Sequence, residues 1–84
     1  MVLTNREILR LKEGSLVRFS FGNLSQIADA KIRDEMKEDF EKWGLKDREV
    51  YRLFNKYKQD GKWVLGIDVR GEIIYFGSYL FDRA

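Results

Sequence analysis

Cysteine and histidine are both absent from this chain of 84 residues. Without cysteine there is no disulfide, no thiolate metal ligand and no cysteine nucleophile. Histidine is the commonest general acid or base, the commonest transition-metal ligand and the usual partner of a catalytic serine. Their absence closes most routes to catalysis. We therefore expect a protein that binds a partner and is not an enzyme, with no catalytic residue, no metal and no cofactor.

Proline is also absent, and no apolar run approaches the roughly 20 residues that cross a bilayer. The opening residues, MVLTNREILR, lack the apolar core of a signal peptide. We expect a cytoplasmic protein with no membrane association. No repeat or low-complexity segment interrupts the chain, so residues 1–84 are expected to form a single domain.

The residues that are present favour a folded chain. Hydrophobic residues make up 44% and aromatic residues 14%, whereas disordered chains are poor in both. The net charge of +2 is too small to indicate a partner by itself. The basic excess lies in the middle of the chain, in residues 45–62.

The first half of the chain predicts a helix, a strand and a longer helix. Thr4 as N-cap with Glu7 three residues later forms a capping box, and Gly14 follows as a stop. Residues 15–21 alternate as a half-buried strand does. Residues 24–43 then predict a long amphipathic helix ending at Gly44. Its apolar positions are Leu24, Ala28, Ile32, Met36, Phe40 and Trp43.

The C-terminal part predicts a β-hairpin. Residues 62–69 and 72–81 are β-branched and aromatic runs, joined at Arg70-Gly71. The predicted fold class is therefore α+β, with the N-terminal helix and the long helix packed on a small antiparallel sheet.

Residues 47–60 fit two structures equally well. A helix would take Asp47 as N-cap and Gly61 as terminator, giving the order αβααββ. A strand would use Asp60-Gly61 as a hairpin turn, pair residues 49–59 with 62–72 and give αβαβββ.

In the helical version, the segment GLKDREVYRLF resembles a helix-turn-helix, and the order of elements is similar to a winged helix-turn-helix domain. The resemblance implies a small DNA-binding transcription regulator whose recognition helix, residues 47–59, lies in the major groove. This is our leading interpretation, and a strand at these residues would remove it. The side chains expected to bind nucleic acid are Arg48, Arg52, Asn55, Lys56, Gln59 and, at the hairpin tip, Arg70.

In the strand version, four tyrosines are expected on one face of the sheet, namely Tyr51, Tyr57, Tyr75 and Tyr79. The other face would carry Phe54, Trp63, Leu65, Ile67, Val69, Ile74, Phe76 and Leu80. A tyrosine-rich face is typical of protein interfaces, because tyrosine buries a large area at little cost in side-chain entropy. The alternative function is thus a protein-binding module or inhibitor, with a homodimer as one form; a face covered by the chain's own helix fits the pattern equally well.

A second alternative follows from the same strand order. A strand, a long helix and a three-strand meander resemble the RelE and ParE toxin family, some of whose ribonucleases work without histidine. The side chains in this sequence that could replace histidine are Arg52, Lys56, Tyr75 and Arg83.

Overall fold

The computed structural model describes residues 2–26 and 29–84, which form a five-stranded antiparallel sheet with two α-helices. The coarse α+β class is confirmed. The α-helices are α1 (Asn5–Arg10) and α2 (Ala30–Lys42), and the strands are β1 (Leu16–Phe19), β2 (Val50–Gln59), β3 (Lys62–Val69), β4 (Glu72–Gly77) and β5 (Phe81–Arg83). Short 3-10 helices cover Phe21–Gln26 and Ser78–Leu80. Neither helix in this part of the chain has the length and apolar character needed to traverse a bilayer.

Helix α1 begins as its sequence predicts and ends earlier. The Glu7 N–H donates to Thr4 Oγ1 at 3.2 Å, and the Thr4 N–H donates to Glu7 Oε1 at 3.0 Å, so the capping box is confirmed. Leu11 is already extended, with φ −68° and ψ 139°. Gly14 lies beyond the helix, in the turn that leads into β1, with φ +91°.

Helix α2 is shorter than the predicted span of residues 24–43. Leu24 is buried in the 3-10 helix, and α2 itself begins after Asp29, whose carboxylate accepts from the Lys31 N–H at 2.9 Å. This cap sets the start of the helix. The predicted apolar position at Ala28 lies outside the described residues. Within α2, Phe40 is buried as predicted, whereas Ile32 is 47% exposed.

Residues 50–59 form a strand, so the helical version of this segment is wrong. Asp60 and Gly61 both have positive φ, 53° and 77°, which is the geometry of a two-residue hairpin turn. Asp47 does not cap a helix; its carboxylate accepts from the Phe21 N–H at 2.8 Å. The recognition helix that the winged-helix resemblance required is therefore not formed. The order αβαβββ is present, and β5 follows it as an additional strand.

The sheet is strongly curved. Its strand order is β4-β3-β2-β1-β5, so β4 and β5 lie at opposite edges. In a flat sheet those edges would be about 19 Å apart, at about 4.8 Å per strand spacing. The four Cα–Cα steps from Gly77 to Phe81 span at most about 14 Å. The sheet must therefore curl, and it carries β4 and β5 toward each other, with the Phe76 and Phe81 rings 6.3 Å apart.

The concave side of the sheet, here called the inner face, carries the core. Phe19 lies at its centre, with Phe40, Phe76 and Phe81 edge-on around it at 5.2–5.9 Å. The buried sheet residues of this face are Val17, Phe19, Leu53, Leu65, Ile67, Val69, Phe76 and Phe81. The helices and connecting loops cover this side, which leaves the convex side, here called the outer face, as sheet surface.

A β-bulge at Phe54 decides which β2 side chains reach each face. Leu53 pairs with Ile67, and Asn55 pairs with the adjacent Gly66, so Phe54 is an extra residue. The alternation of side chains shifts by one at that point. Tyr51 therefore lies on the inner face, opposite Val17, while Tyr57 lies on the outer face, opposite Val64.

Candidate functional site

The outer face exposes a group of large apolar and aromatic side chains. Their exposed fractions are 54% for Leu16, 37% for Val50, 46% for Phe54, 42% for Tyr57, 46% for Tyr75 and 39% for Tyr79. All six lie on strands or on the 3-10 turn after β4, so the sheet holds their backbone in place. Large apolar side chains gathered on one face mark an interaction surface more often than scattered exposed residues do.

Two glycines allow tyrosine rings to lie against the sheet. A Cβ atom at Gly66 would meet the Tyr75 ring at 2.7 Å and the Asn55 Oδ1 atom closer still. A Cβ atom at Gly77 would meet the Tyr79 ring at 2.6 Å. The Tyr75 ring is in turn 5.9 Å from the Tyr57 ring. The two glycines thus allow the rings of Tyr75 and Tyr79 to lie close to the sheet.

The charges of the outer face are mixed in sign. Arg52 pairs in register with Asp68, and Arg18 pairs with Asp82. Arg18 also donates from Nη1 to the Arg48 carbonyl at 2.7 Å. Cross-strand neighbours of opposite charge attract each other, so this face has no uniformly positive strip for a phosphate backbone.

A cleft of about 630 Å³ opens at the border of the outer face, beside Tyr79. It lies where β3 extends past the end of β4, and Trp63 and Val64 contribute to its wall. Its volume falls in the range that takes a side chain or a small ligand. The indole Nε1 atom of Trp63 is buried and lacks a hydrogen-bond partner among the described residues.

The residues predicted to bind nucleic acid are not brought together. Arg52, Asn55 and Gln59 lie along β2 on the outer face. Lys56 lies on the opposite face, where its ammonium group donates to the carbonyls of Ile8, Leu9 and Leu11 at 2.7–2.8 Å. Lys56 therefore caps the C-terminal end of α1.

Arg48 and Arg70 are separated from this row. Arg48 lies in the loop before β2 with φ 64°, and its N–H donates to the Phe19 carbonyl at 2.8 Å. Arg70 lies at the tip of the β3–β4 hairpin, where its guanidinium packs against Gly44. Nucleic-acid binding by these side chains stays a prediction. The recognition helix that was expected to present them, residues 47–59, is not formed.

The predicted tyrosine face is correct for three of its four members. Tyr57, Tyr75 and Tyr79 are exposed, whereas Tyr51 packs against the core because of the bulge. The Tyr51 hydroxyl accepts from the Lys46 N–H at 2.8 Å and lies 3.1 Å from Glu49 Oε2. Burial raises the pKa of Tyr51 above its ordinary value.

The opposite error concerns Phe54, which was expected on the same face as Leu65 and Ile67. As the extra residue of the bulge it is 46% exposed, beside Arg52, Asp68 and Ile73. The exposure of Leu16 and Val50 was missed as well. Their alternation with Val17 and Tyr51 was a usable signal, since buried and exposed positions alternate along a strand.

The residues proposed to replace histidine in a ribonuclease are also dispersed. Tyr75 and Arg52 lie on the outer face and Lys56 on the inner face, while Arg83 forms an ion pair with Glu7. No cluster of carboxylates suited to a metal ion occurs in residues 2–26 or 29–84. The ribonuclease alternative stays a prediction that this arrangement does not favour.

Comparison of the chain with protein-family models, with curated proteins and with solved structures gives no match. The argument about function therefore depends on the outer face itself.

Proposed function

We propose that this protein is a protein-binding module that docks its partner on the outer face of the sheet. The observation that carries the proposal is the group of six half-exposed apolar and aromatic side chains on one rigid sheet surface. Burying such a group against a partner removes apolar area from water, and the tyrosine hydroxyls retain hydrogen-bonding partners at the interface.

The chemistry of the face defines the kind of partner it fits. Arg52 is matched by Asp68, so the face attracts neither a strongly acidic nor a strongly basic surface. The complementary partner is a folded protein with an apolar patch, ringed by groups that hydrogen-bond to the hydroxyls of Tyr57, Tyr75 and Tyr79. The cleft beside Tyr79 offers a place for one anchoring side chain, in the manner of interface hot spots.

Nucleic acid is a less suitable occupant of the same surface. Unpaired bases stack on exposed aromatic rings, but such sites pair the rings with a positively charged groove. Here Lys56 is turned to the inner face and bound to main-chain carbonyls. Lys58, on the other side of Tyr57 in the sequence, also lies on the inner face, so neither lysine that flanks Tyr57 is on the outer face.

Site-specific photo-cross-linking tests the proposal. Benzoylphenylalanine replaces Tyr57 on the outer face or, as the matched control, Leu9, an apolar residue of α1 that is 64% exposed. We expect one protein to cross-link at position 57 and not at position 9. The purified partner should then bind the unmodified chain and lose affinity for Tyr57→Ala. Cross-linking of nucleic acid at position 57, or equal yields at both positions, would contradict the proposal.

A further inference from the structure

The two edges of the sheet are protected very differently. At the β5 edge the strand has only three residues, and the N-terminal segment covers it: Val2 bridges to Asp82, and the Leu3 N–H donates to the Phe81 carbonyl at 3.1 Å. At the β4 edge the strand is twice as long, and among residues 2–26 and 29–84 no strand lies on its far side.

The turn before β4 determines which of its peptide groups face outward. Arg70 and Gly71 have φ values of 55° and 88°, the conformation of a type I′ turn. In such a hairpin the flanking residues, Val69 and Glu72, are hydrogen-bonded to each other. Since the pattern alternates along the strand, the N–H and C=O groups of Ile73 and Tyr75 point away from β3.

Strand β4 lacks the features that commonly discourage pairing at an edge. Its sequence, EIIYFG, has no proline and no lysine, it pairs with β3 without a bulge, and its one charge lies at its first residue. Natural edge strands are usually protected by such features or by a covering segment. An edge with neither is suited to receive another strand.

We propose that β4 forms the interface of a homodimer. In this dimer, β4 of a second copy pairs antiparallel with β4 about a two-fold axis at Tyr75. In that register Tyr75 lies opposite its own counterpart, Ile73 opposite Gly77, and Ile74 opposite Phe76. Glu72 lies opposite Ser78. Every apolar side chain of the strand thus meets an apolar or small residue, and no charge faces a like charge.

The second copy is favoured over an unrelated strand because the edge is complementary to itself. Gly77 has no side chain and carries the Tyr79 ring above it, so it leaves room for Ile73 of the second copy to contact that ring. On the inner side, Trp43 is 51% exposed and its ring lies 6.0 Å from the Phe76 ring. It is therefore placed to cover Ile74 of the second copy.

The pairing goes beyond the proposed function and does not depend on it. It would join two five-stranded sheets at their β4 edges into one continuous surface, and the two outer faces would lie on the same side. Each copy would keep Tyr57 accessible, because that residue is on β2, two strands from the edge.

Single-cysteine variants test the register, since the chain has no cysteine of its own. In the proposed register the Tyr75 Cα atoms are about 5.5 Å apart, a separation that a disulfide spans. The Ile73 Cα atoms would be about 14 Å apart, four residues along the strand. With oxidised glutathione, Tyr75→Cys should give a disulfide-linked dimer on a non-reducing denaturing gel, and Ile73→Cys should give none. Absence of a dimer from Tyr75→Cys, or equal yields from the two variants, would overturn the proposal.

A backbone substitution tests the pairing without a thiol. Sedimentation of the unmodified chain should give twice its mass of 10.0 kDa. Ile73→Pro removes an N–H that points away from β3, so the monomer should fold, as circular dichroism will show. Ile73→Pro should weaken dimerisation at least about 100-fold. Ile73→Ala keeps the N–H and should weaken dimerisation about tenfold or less. A monomeric unmodified chain, or equal weakening by both variants, would count against the dimer. If the proline variant does not fold, the cysteine pair decides.

Discussion

The ammonium group of Lys56 donates a hydrogen bond to the main-chain carbonyl of Ile8 at 2.7 Å, across 48 residues of sequence. It also reaches the carbonyls of Leu9 and Leu11, each at 2.8 Å. The last carbonyls of a helix have no partner within the helix and carry partial negative charge. One lysine of β2 therefore satisfies three acceptors at the end of α1 and ties this helix to the sheet.

Replacement of Lys56 should test this attachment. Lys56→Met keeps an unbranched chain and removes the donors, so we expect a loss of about 2 kcal/mol in the free energy of unfolding. Lys58→Met is the matched control, because both ammonium groups lie over the Trp63 ring, that of Lys56 at 5.8 Å and that of Lys58 at 5.2 Å from its centroid. Loss of the Lys58 contact should cost at most about 1 kcal/mol. Urea denaturation measures both. Equal losses in the two variants would show that the contacts with α1 carry no special weight.

Gly66 should be coupled to Tyr75 in stability. Gly66→Ala places a methyl group where the Tyr75 ring lies, and we expect it to cost about 1–2 kcal/mol. In a Tyr75→Ala background the same change should cost less, because the ring is gone and only the side-chain amide of Asn55 remains close to the added methyl group. A double-mutant cycle measures the difference. Additive effects would mean that the ring does not rest on the glycine.

Acid should weaken the contacts that Glu7 makes with the Thr4 N–H and with Arg83 of β5. The pKa of Glu7 is lowered from the ordinary value of 4.5, first by the hydrogen bond from the Thr4 N–H and then by Arg83. A carboxyl with a lowered pKa in the folded state stabilises the fold above its unfolded-state pKa, and this stabilisation is lost as the pH falls through the folded-state pKa.

The matched variants for this prediction are Glu7→Gln and Arg83→Gln. Glu7→Gln should be less stable than the unmodified chain at pH 7, and the difference should shrink as the pH is lowered below 4.5. Arg83→Gln should retain part of the pH dependence, because the Thr4 hydrogen bond remains. Urea denaturation at a series of pH values checks both. If the stability difference between Glu7→Gln and the unmodified chain stayed constant from pH 7 to below pH 4.5, Glu7 would not be the group whose protonation weakens the fold.

Alkaline pH should act on Tyr51. Burial raises its pKa above the ordinary value of 10.0. The contribution of Tyr51 to the free energy of unfolding is therefore fully present below pH 10, and it is lost as the pH rises through the folded-state pKa. Tyr51→Phe should cost about 1 kcal/mol at neutral pH, and this difference should diminish at alkaline pH. Tyr57→Phe, on the outer face, should change the stability at neutral pH by less than about 0.5 kcal/mol. An equal cost for the two tyrosines would refute the inner-face position of Tyr51.

Local signals predicted the first helix turn and the hairpin at Arg70-Gly71 correctly, and they gave the hairpin at Asp60-Gly61 as one of two alternatives. The Thr4 capping box and the turns at Asp60-Gly61 and Arg70-Gly71 each depend on a few neighbouring residues. Such features can be predicted from a short segment of sequence, because the capping side chains and the residues with positive φ lie within a few positions of each other.

The features that went unpredicted depend on distant contacts. The bulge at Phe54 lies where β1 and the chain before it join β2, with the Gly14 N–H donating to the Leu53 carbonyl at 2.8 Å. No residue near Phe54 indicates the bulge. The bulge nevertheless places Tyr51 on the inner face and Phe54 on the outer face, the reverse of what was expected. The choice of strand over helix for residues 50–59 likewise follows from pairing on both sides, with β1 and β3.

The candidate surface could be anticipated only in part. Tyr57 shares a face with Tyr75 and Tyr79 as predicted, because β2 and β3 pair regularly between the bulge and the turn at Asp60-Gly61. The expectation that Lys56 binds nucleic acid together with Arg52 assumed a helix; in the strand, the bulge at Phe54 turns the Lys56 side chain to the opposite face from Arg52. Its attachment to α1 joins segments that are far apart in the sequence, which no local pattern reveals.

Binding of a protein partner by the outer face can be measured as a difference in affinity between variants. With the partner identified by cross-linking and purified, calorimetry compares Tyr57→Ala with Leu9→Ala, both confirmed as folded by circular dichroism. We predict that Tyr57→Ala weakens binding by about 2 kcal/mol, roughly 30-fold, as loss of an interface hot spot does. Leu9→Ala should bind as the unmodified chain does. Unchanged affinity for Tyr57→Ala would contradict the account.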